Sequence, residues 1–202
     1  MKKLTGFDVE VMEALGRRLG ARLKVVPTPW PQLEDGLVAR RFDLIICGWT
    51  PHSGTPAAIV ASDPYYNWGL LIAIRADNAA MIRSVPDLDD KRVGHFLDPA
   101  VQRALTAMGH GRFEARNHPT ALFRDLAAGT LDAVIFDSLY VRWRVANDAA
   151  LRVVGRPLNR LGYHVAVRKD DTTLFARVQA AVKSLASSEE MARIAARWEG
   201  PR

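Results

Sequence analysis

One cysteine, Cys47, occurs in 202 residues, which excludes an internal disulfide framework and a cysteine-only zinc site. Lying in the apolar run Leu44 to Cys47, it reads as a small buried hydrophobe. No apolar run approaches the roughly 20 residues that cross a membrane. Met1-Lys2-Lys3 starts as an export signal does, but no apolar stretch follows, so a soluble chain without an export signal is the expectation. The histidines at 52, 95, 110, 118 and 164 lack metal-ligand spacing, and no metal or other cofactor is expected. A glycine-rich phosphate loop is also missing. Ser138 has no Gly-x-Ser-x-Gly setting, which argues against a nucleophile. The formal charge is +6, yet Arg17, Arg18, Arg40, Arg41, Arg92 and Arg103 are scattered, many on predicted helix faces. Nucleic acid is therefore not an expected partner.

What is present is ordinary globular composition, 49% hydrophobic and 25% charged, enough for one large domain or two small ones. The chain is organised around Asp43 to Tyr66. Leu44 to Cys47, closed by Gly48, reads as a buried strand. Trp49 and Thr50 follow its carboxyl end, where ligands bind in open α/β sheets. Pro51, Gly54 and Pro56 make the next segment a loop, and Ser62-Asp63-Pro64 reads as a second turn ahead of Tyr65-Tyr66. His52 falls in that loop, as a hydrogen-bond donor or a solvated side chain.

Strand and helix patterns alternate elsewhere. Phe7, Val11, Leu15 and Leu19 predict a helix, with Asp8 as its cap and Gly20 as its end. Leu23 to Val26 predicts a strand, and Trp30-Pro31 opens a helix. Strands are predicted at Leu70 to Ile74, Arg92 to Phe96, Phe113 to Arg116, Ala133 to Phe136, Leu151 to Val154 and Tyr163 to Val167. Helices are predicted after the caps Asp98, Thr120, Asp170 or Asp171, and Ser187 or Ser188, and over Leu139 to Ala146. The spacing Leu33-x3-Leu37-x5-Asp43 repeats as Leu122-x3-Leu126-x5-Asp132, which suggests two α/β lobes of similar build.

The ordered series Gly6-Phe7-Asp8-Val9-Glu10, Pro29-Trp30, Phe42-Asp43-Leu44, Gly48-x-Thr50, Ser62-Asp63-Pro64-Tyr65-Tyr66, Leu88-Asp89-Asp90-Lys91-x-Val93-Gly94, Asp132-Ala-Val-x-x-Asp137 and Arg197-Trp198-Glu199-Gly200 resembles bacterial extracellular solute-binding proteins of the polar amino-acid type, the receptors of ABC importers. The resemblance runs over nearly the whole chain. It implies an α/β type II periplasmic-binding-protein clamshell, each lobe a βα-layered sheet. Lobe one would be residues 1–67 plus 163–202 and lobe two 70–160. Hinge crossovers would lie near 66–69 and 160–163, a small ligand would sit in the interlobe cleft, and an ABC permease would be the partner. It also implies a periplasmic or extracellular place. A sensor or accessory module and a cyclohexadienyl (prephenate or arogenate) dehydratase-like enzyme are the alternatives to an importer receptor.

Three departures shape the expected site. The family begins with a strand ahead of the Lys-Leu-Thr-Gly-Phe-Asp segment at which this chain starts, so a weak lobe one, or self-association through an exposed sheet edge, is expected. Family members clamp the ligand carboxylate with an Arg in the loop after Gly-x-Thr. The matching position is Thr55, and no Arg occurs from Asp43 to Tyr66. The small helix start that meets the same carboxylate is Leu97-Asp98-Pro99-Ala100, whose Asp98 adds negative charge and whose Pro99 lacks an N–H. Asp137 matches the position that holds the ligand ammonium. The expected ligand-binding set is Trp49, Thr50, His52, Thr55, Tyr65, Trp68, Asp98 and Asp137, with no catalytic residue and no metal ligand. The expected solute is neutral or cationic and lacks an α-carboxylate.

Overall fold

The apolar positions Phe7, Val11, Leu15 and Leu19 are the buried face of helix α1 (Phe7–Leu19), which closes on Gly20 in the left-handed conformation. The computed structural model describes residues 4–199; Met1-Lys2-Lys3 and the Gly200 of the closing motif lie outside them. The chain divides into two units, one holding the described residues up to Asn67 together with Gly162–Trp198, the other Trp68–Leu161 and Glu199.

In the first unit, a 3-10 turn at Trp30–Gln32 runs into α2 (Leu33–Val38). Strands β1 (Leu44–Ile45) and β2 (Ile59–Trp68) follow. The other elements of this unit come from the end of the chain and are numbered after those of the second unit. Leu37, Ile45, Trp49, Ile59 and Ala166 form one buried cluster of this unit.

The second unit begins with β3 (Leu70–Arg75). The predicted turn near Pro86 is a 3-10 turn at Val85–Leu88, capped by Ser84 and Asp87. Then come β4 (Arg92–Phe96), α3 (Pro99–Met108), β5 (Arg112–Arg116), α4 (Pro119–Ala127), β6 (Ala133–Asp137), α5 (Ser138–Ala146) and β7 (Leu151–Val154). The sheet order is β5-β4-β6-β3-β7. β4 is parallel to β5 and β6, whereas β3 runs antiparallel to β6 and β7. Paired on both sides, β3 has every residue from Leu70 to Ile74 buried, which is why it reads as an unbroken apolar run. Leu71, Ala73, Leu122, Phe123, Leu126, Val134 and Val141 pack one face of this sheet against α4 and α5. Gly94 in β4 admits that packing, because a Cβ there would stand 2.4 Å from Leu131 Cδ1.

The chain returns to the first unit with β8 (Leu161–Arg168), α6 (Thr172–Ala186) and α7 (Glu189–Glu199). The first unit's sheet has the order β1-β8-β2. β1 pairs antiparallel with β8, Leu44 facing Val167 and Ile45 facing Ala166.

Four local expectations are corrected. Leu23 to Val26 is not a strand: Val25 and Val26 stand exposed, and the segment joins neither sheet. Asp8 does not cap α1; Gly6 holds that position without a side-chain cap, and Asp8 turns its carboxyl to Tyr65. Ser62-Asp63-Pro64 lies inside β2. Asp63 N–H donates to Gln179, and Pro64 is tolerated because β2 is at the sheet's edge. His118 caps α4 through Nδ1, accepting from the Thr120 N–H, so Thr120 sits inside the first turn. Asp171 caps α6, and Ser188 Oγ accepts from the Met191 N–H at the start of α7.

Candidate functional site

In the first unit the site is built around Gly48, which leaves β1 with φ 71°, a left-handed turn that favours glycine. Its N–H donates to Tyr65 Oη at 3.1 Å, and the Tyr65 hydroxyl donates to Asp8 Oδ1 at 2.8 Å. Burial pushes the Asp8 carboxyl up to about 6, against the hydrogen bonds from Tyr65 and the Gly48 backbone that pull it down. Burial, then the Asp8 charge, pushes the Cys47 thiol up to about 12 and lifts the Tyr65 phenol well above its ordinary range. Phe7, Tyr65, Tyr66 and Tyr163 pack around this group with ring centroids 5.0 to 6.4 Å apart. Tyr65 is therefore a buried strut under the loop, and the stacking surface expected of it is taken up by packing.

The loop after Gly48 closes on Glu34, at the start of α2. Glu34 Oε1 accepts from Trp49 Nε1 at 3.0 Å and from Thr55 Oγ1 at 3.4 Å, and lies 3.1 Å from His52 Nε2. His52 Nδ1 accepts from the Gly54 N–H, so its ring donates through Nε2. The Thr55 N–H donates to the His52 carbonyl, and Thr55 Oγ1 accepts from the His52 N–H. Thr50 Oγ1 donates to the Gly162 carbonyl at 2.8 Å. Trp49 is 3% exposed, its ring inside the core cluster, so stacking is not available from it either. The structure thus brings Trp49, His52 and Thr55 together, around a residue that sequence reasoning passed over. No spacing signal could have found Glu34, because its donors lie 15 to 21 residues away along the chain.

In the second unit, parallel β4 and β6 are neighbours, with His95 facing Ile135, so their carboxyl ends share one edge of the sheet. β4 leads through α3 to β5 on one side; β6 leads through α5 to β7 on the other. Such a reversal opens a crevice at which open α/β sheets hold ligands. Both helices start there with a carboxylate. Asp98 Oδ1 accepts from the Val101 N–H at 3.0 Å. Asp137, buried, accepts at Oδ1 from the Leu139 and Tyr140 N–H groups at 2.7 and 3.1 Å. N–H groups that could meet an anion are thus occupied by fixed negative charge. Trp68, at the end of β2, is buried. Among the described residues no three His, Cys, Asp or Glu side chains converge as a metal site would require.

A family model described as bacterial extracellular solute-binding proteins, family 3, matches residues 1–201. The chain belongs to this family. It is 29% identical over 203 aligned positions to the L-cystine-binding protein TcyJ of Escherichia coli, an alignment spanning 98% of this chain and 75% of that protein. A solved structure of holo ArgBP from T. maritima superimposes with a TM-score of 0.81 at 29% identity, covering 95% of this chain and 85% of that one. The cyclohexadienyl dehydratase of Pseudomonas aeruginosa is 25% identical over 140 residues, 68% of this chain and 52% of that enzyme. The two-lobed α/β fold class implied by the sequence is that of these family relatives, and an amino-acid ABC-transporter binding role is the family's. Among the described residues no helix is long and apolar enough to cross a membrane.

Proposed function

We propose that this family-3 protein is the extracellular receptor of an ABC importer for a small cationic or neutral solute that lacks an α-carboxylate. The observation that carries the reading is the pair of carboxylates, Asp98 and Asp137, at the helix starts on the switch-point edge of the second unit's sheet. A carboxylate solute brought there would meet like charge, where a helix start otherwise offers free N–H groups. Pro99, first in α3, removes one further donor. In the first unit the position expected to carry a clamping Arg is Thr55, and its hydroxyl is spent on Glu34 and His52. Asp137 would hold an amine, its Oδ1 fixed by α5 and the carboxylate kept from rotating.

In this proposal a permease is the partner that reads the solute-bound state. A dehydratase is the lesser reading. It is favoured by the similarity to the Pseudomonas enzyme but must hold carboxylate substrates against the same negative groups.

The test is a thermal-shift screen of purified protein against amines, amino acids and neutral sugars. A ligand bound only by the folded protein adds about 2.7 kcal/mol of stability at a hundred times Kd. Shifts with amines and none with glutamate or glutamine are the expected result. Asp137→Asn preserves the helix cap and removes the charge, so its amine shifts should disappear while its unliganded melting temperature stays near that of the parent. Strong shifts with dicarboxylic amino acids would overturn the proposal.

A further inference from the structure

Among the described residues Glu34 is the carboxylate that the loop from Trp49 to Thr55 closes upon, and its two oxygens are used unequally. Oε1 carries all the donors: Trp49 Nε1 at 3.0 Å, His52 Nε2 at 3.1 Å and Thr55 Oγ1 at 3.4 Å. Oε2 accepts no hydrogen bond among the described residues, and the side chain keeps 20% of its exposure. The donors that hold Oε1 are neutral. His52 donates through Nε2 because its Nδ1 accepts from Gly54, and the indole and the hydroxyl carry no charge. The carboxylate is thus pinned at Oε1 by three neighbours, and Oε2 accepts from none of the described residues.

A pinned carboxylate with an open oxygen suits an N–H donor or a cation, since little side-chain freedom remains to be lost on binding. The Oε1 contacts also fix the loop, whose Thr50 is tied to the Gly162 carbonyl and whose Gly48 is tied to Tyr65. Glu34 therefore contributes to both the shape of the loop and the charge beside it.

Resting on the receptor reading above, we infer that Glu34 is a specificity-determining residue on the first unit: Oε2 takes an ammonium or guanidinium group of the solute, and the same carboxylate rejects an anionic one. The solute class is a primary amine or guanidine without an α-carboxylate.

Glu34→Gln isolates this role. The amide oxygen can keep the three donors of Oε1, while an NH2 group replaces the open acceptor. Titration calorimetry with putrescine, agmatine, glutamate and ribose, on the parent, E34Q and E34A, reads the outcome. The parent should bind putrescine or agmatine, and E34Q should bind it about ten- to a hundredfold more weakly, as expected for loss of one charge-assisted hydrogen bond. The melting temperature of E34Q should stay near the parent's, and E34A should in addition change the emission of buried Trp49. Undiminished amine affinity in E34Q overturns the Glu34 assignment and leaves the receptor reading standing. Equal weakening of amine and ribose binding in E34Q also overturns it, because the residue then acts through loop shape alone. A parent that binds none of the four probes overturns the receptor reading itself.

Discussion

Replacing Asp8 by asparagine should change how stability depends on pH. The Asp8 carboxyl lies against Tyr65 and Gly48, and burial raises its pKa to about 6 from 3.8. For an acid whose folded pKa is raised, the protonated form is the one the fold prefers. Its contribution to stability is fully present below pH 3.8 and is lost as pH rises through about 6. A shift of about two units corresponds to about 3 kcal/mol, of which about 2 kcal/mol falls between about pH 4.5 and pH 7.5. Asp125, Asp132 and Glu190 are shifted the opposite way, held down by Arg116, Arg92 and Arg18 respectively. Their contributions are lost at lower pH, as pH falls through their depressed values, so the upper window isolates Asp8. The asparagine side chain of the Asp8→Asn variant offers an amide oxygen to the Tyr65 hydroxyl and carries no charge, so the variant should gain stability relative to the parent as pH rises. Urea unfolding of the two proteins, without ligand, across this range would measure the difference directly. Parallel curves would refute the reasoning and show that water or a cation relieves the buried charge. Tyr65→Phe gives a second check: without the phenol the Asp8 pKa should rise further and move the window upward.

Four other outcomes follow from the same contacts. Arg168 is buried and donates to the Phe42 and Leu37 carbonyls and to Asp43, so Arg168→Met should cost at least about 2 kcal/mol in chemical unfolding, most of it from stranded carbonyls. Cys47, half-buried and with its thiol pushed up to about 12, should react slowly with a thiol reagent near pH 8 and fully once the chain is unfolded; rapid native labelling would contradict that raised thiol. Gly94→Ala should lose about 1–3 kcal/mol, because its Cβ would meet Leu131 and Leu122, and a melt unchanged within a degree would show that those leucines yield. Thr55→Arg alone should not confer glutamine or glutamate binding in calorimetry, because Asp98 and Asp137 still occupy the helix-start N–H groups.

How far the sequence could be read depended on whether an element's partners were written near it. Period-3.6 apolar faces located α1, α4 and α6, since a helix satisfies its backbone from its own residues and needs only one apolar side. The run Leu70 to Ile74 identified β3 because burial on both faces leaves an unbroken apolar signature. Leu23 to Val26, where Lys24 breaks the apolar run, also reads as a strand and is none, because a strand exists only with a ladder and the first unit's sheet is β1-β8-β2. The cap at Asp98 was legible for the same reason as the helices: its donor, the Val101 N–H, is three residues away. Asp8 was misread as a cap on that logic, since the Tyr65 hydroxyl that claims it lies 57 residues downstream. Glu34 repeats the case on the functional side. Local pattern places it at the polar start of α2, and only tertiary structure lays Trp49, His52 and Thr55 on one of its oxygens. The contacts of Glu34 are therefore ones that periodicity does not record, whereas Asp98 and Asp137 take their donors from within three residues. Under the proposed function, each of the carboxylates Glu34, Asp98 and Asp137, fixed by donors of its own unit, would favour a cation over an anion.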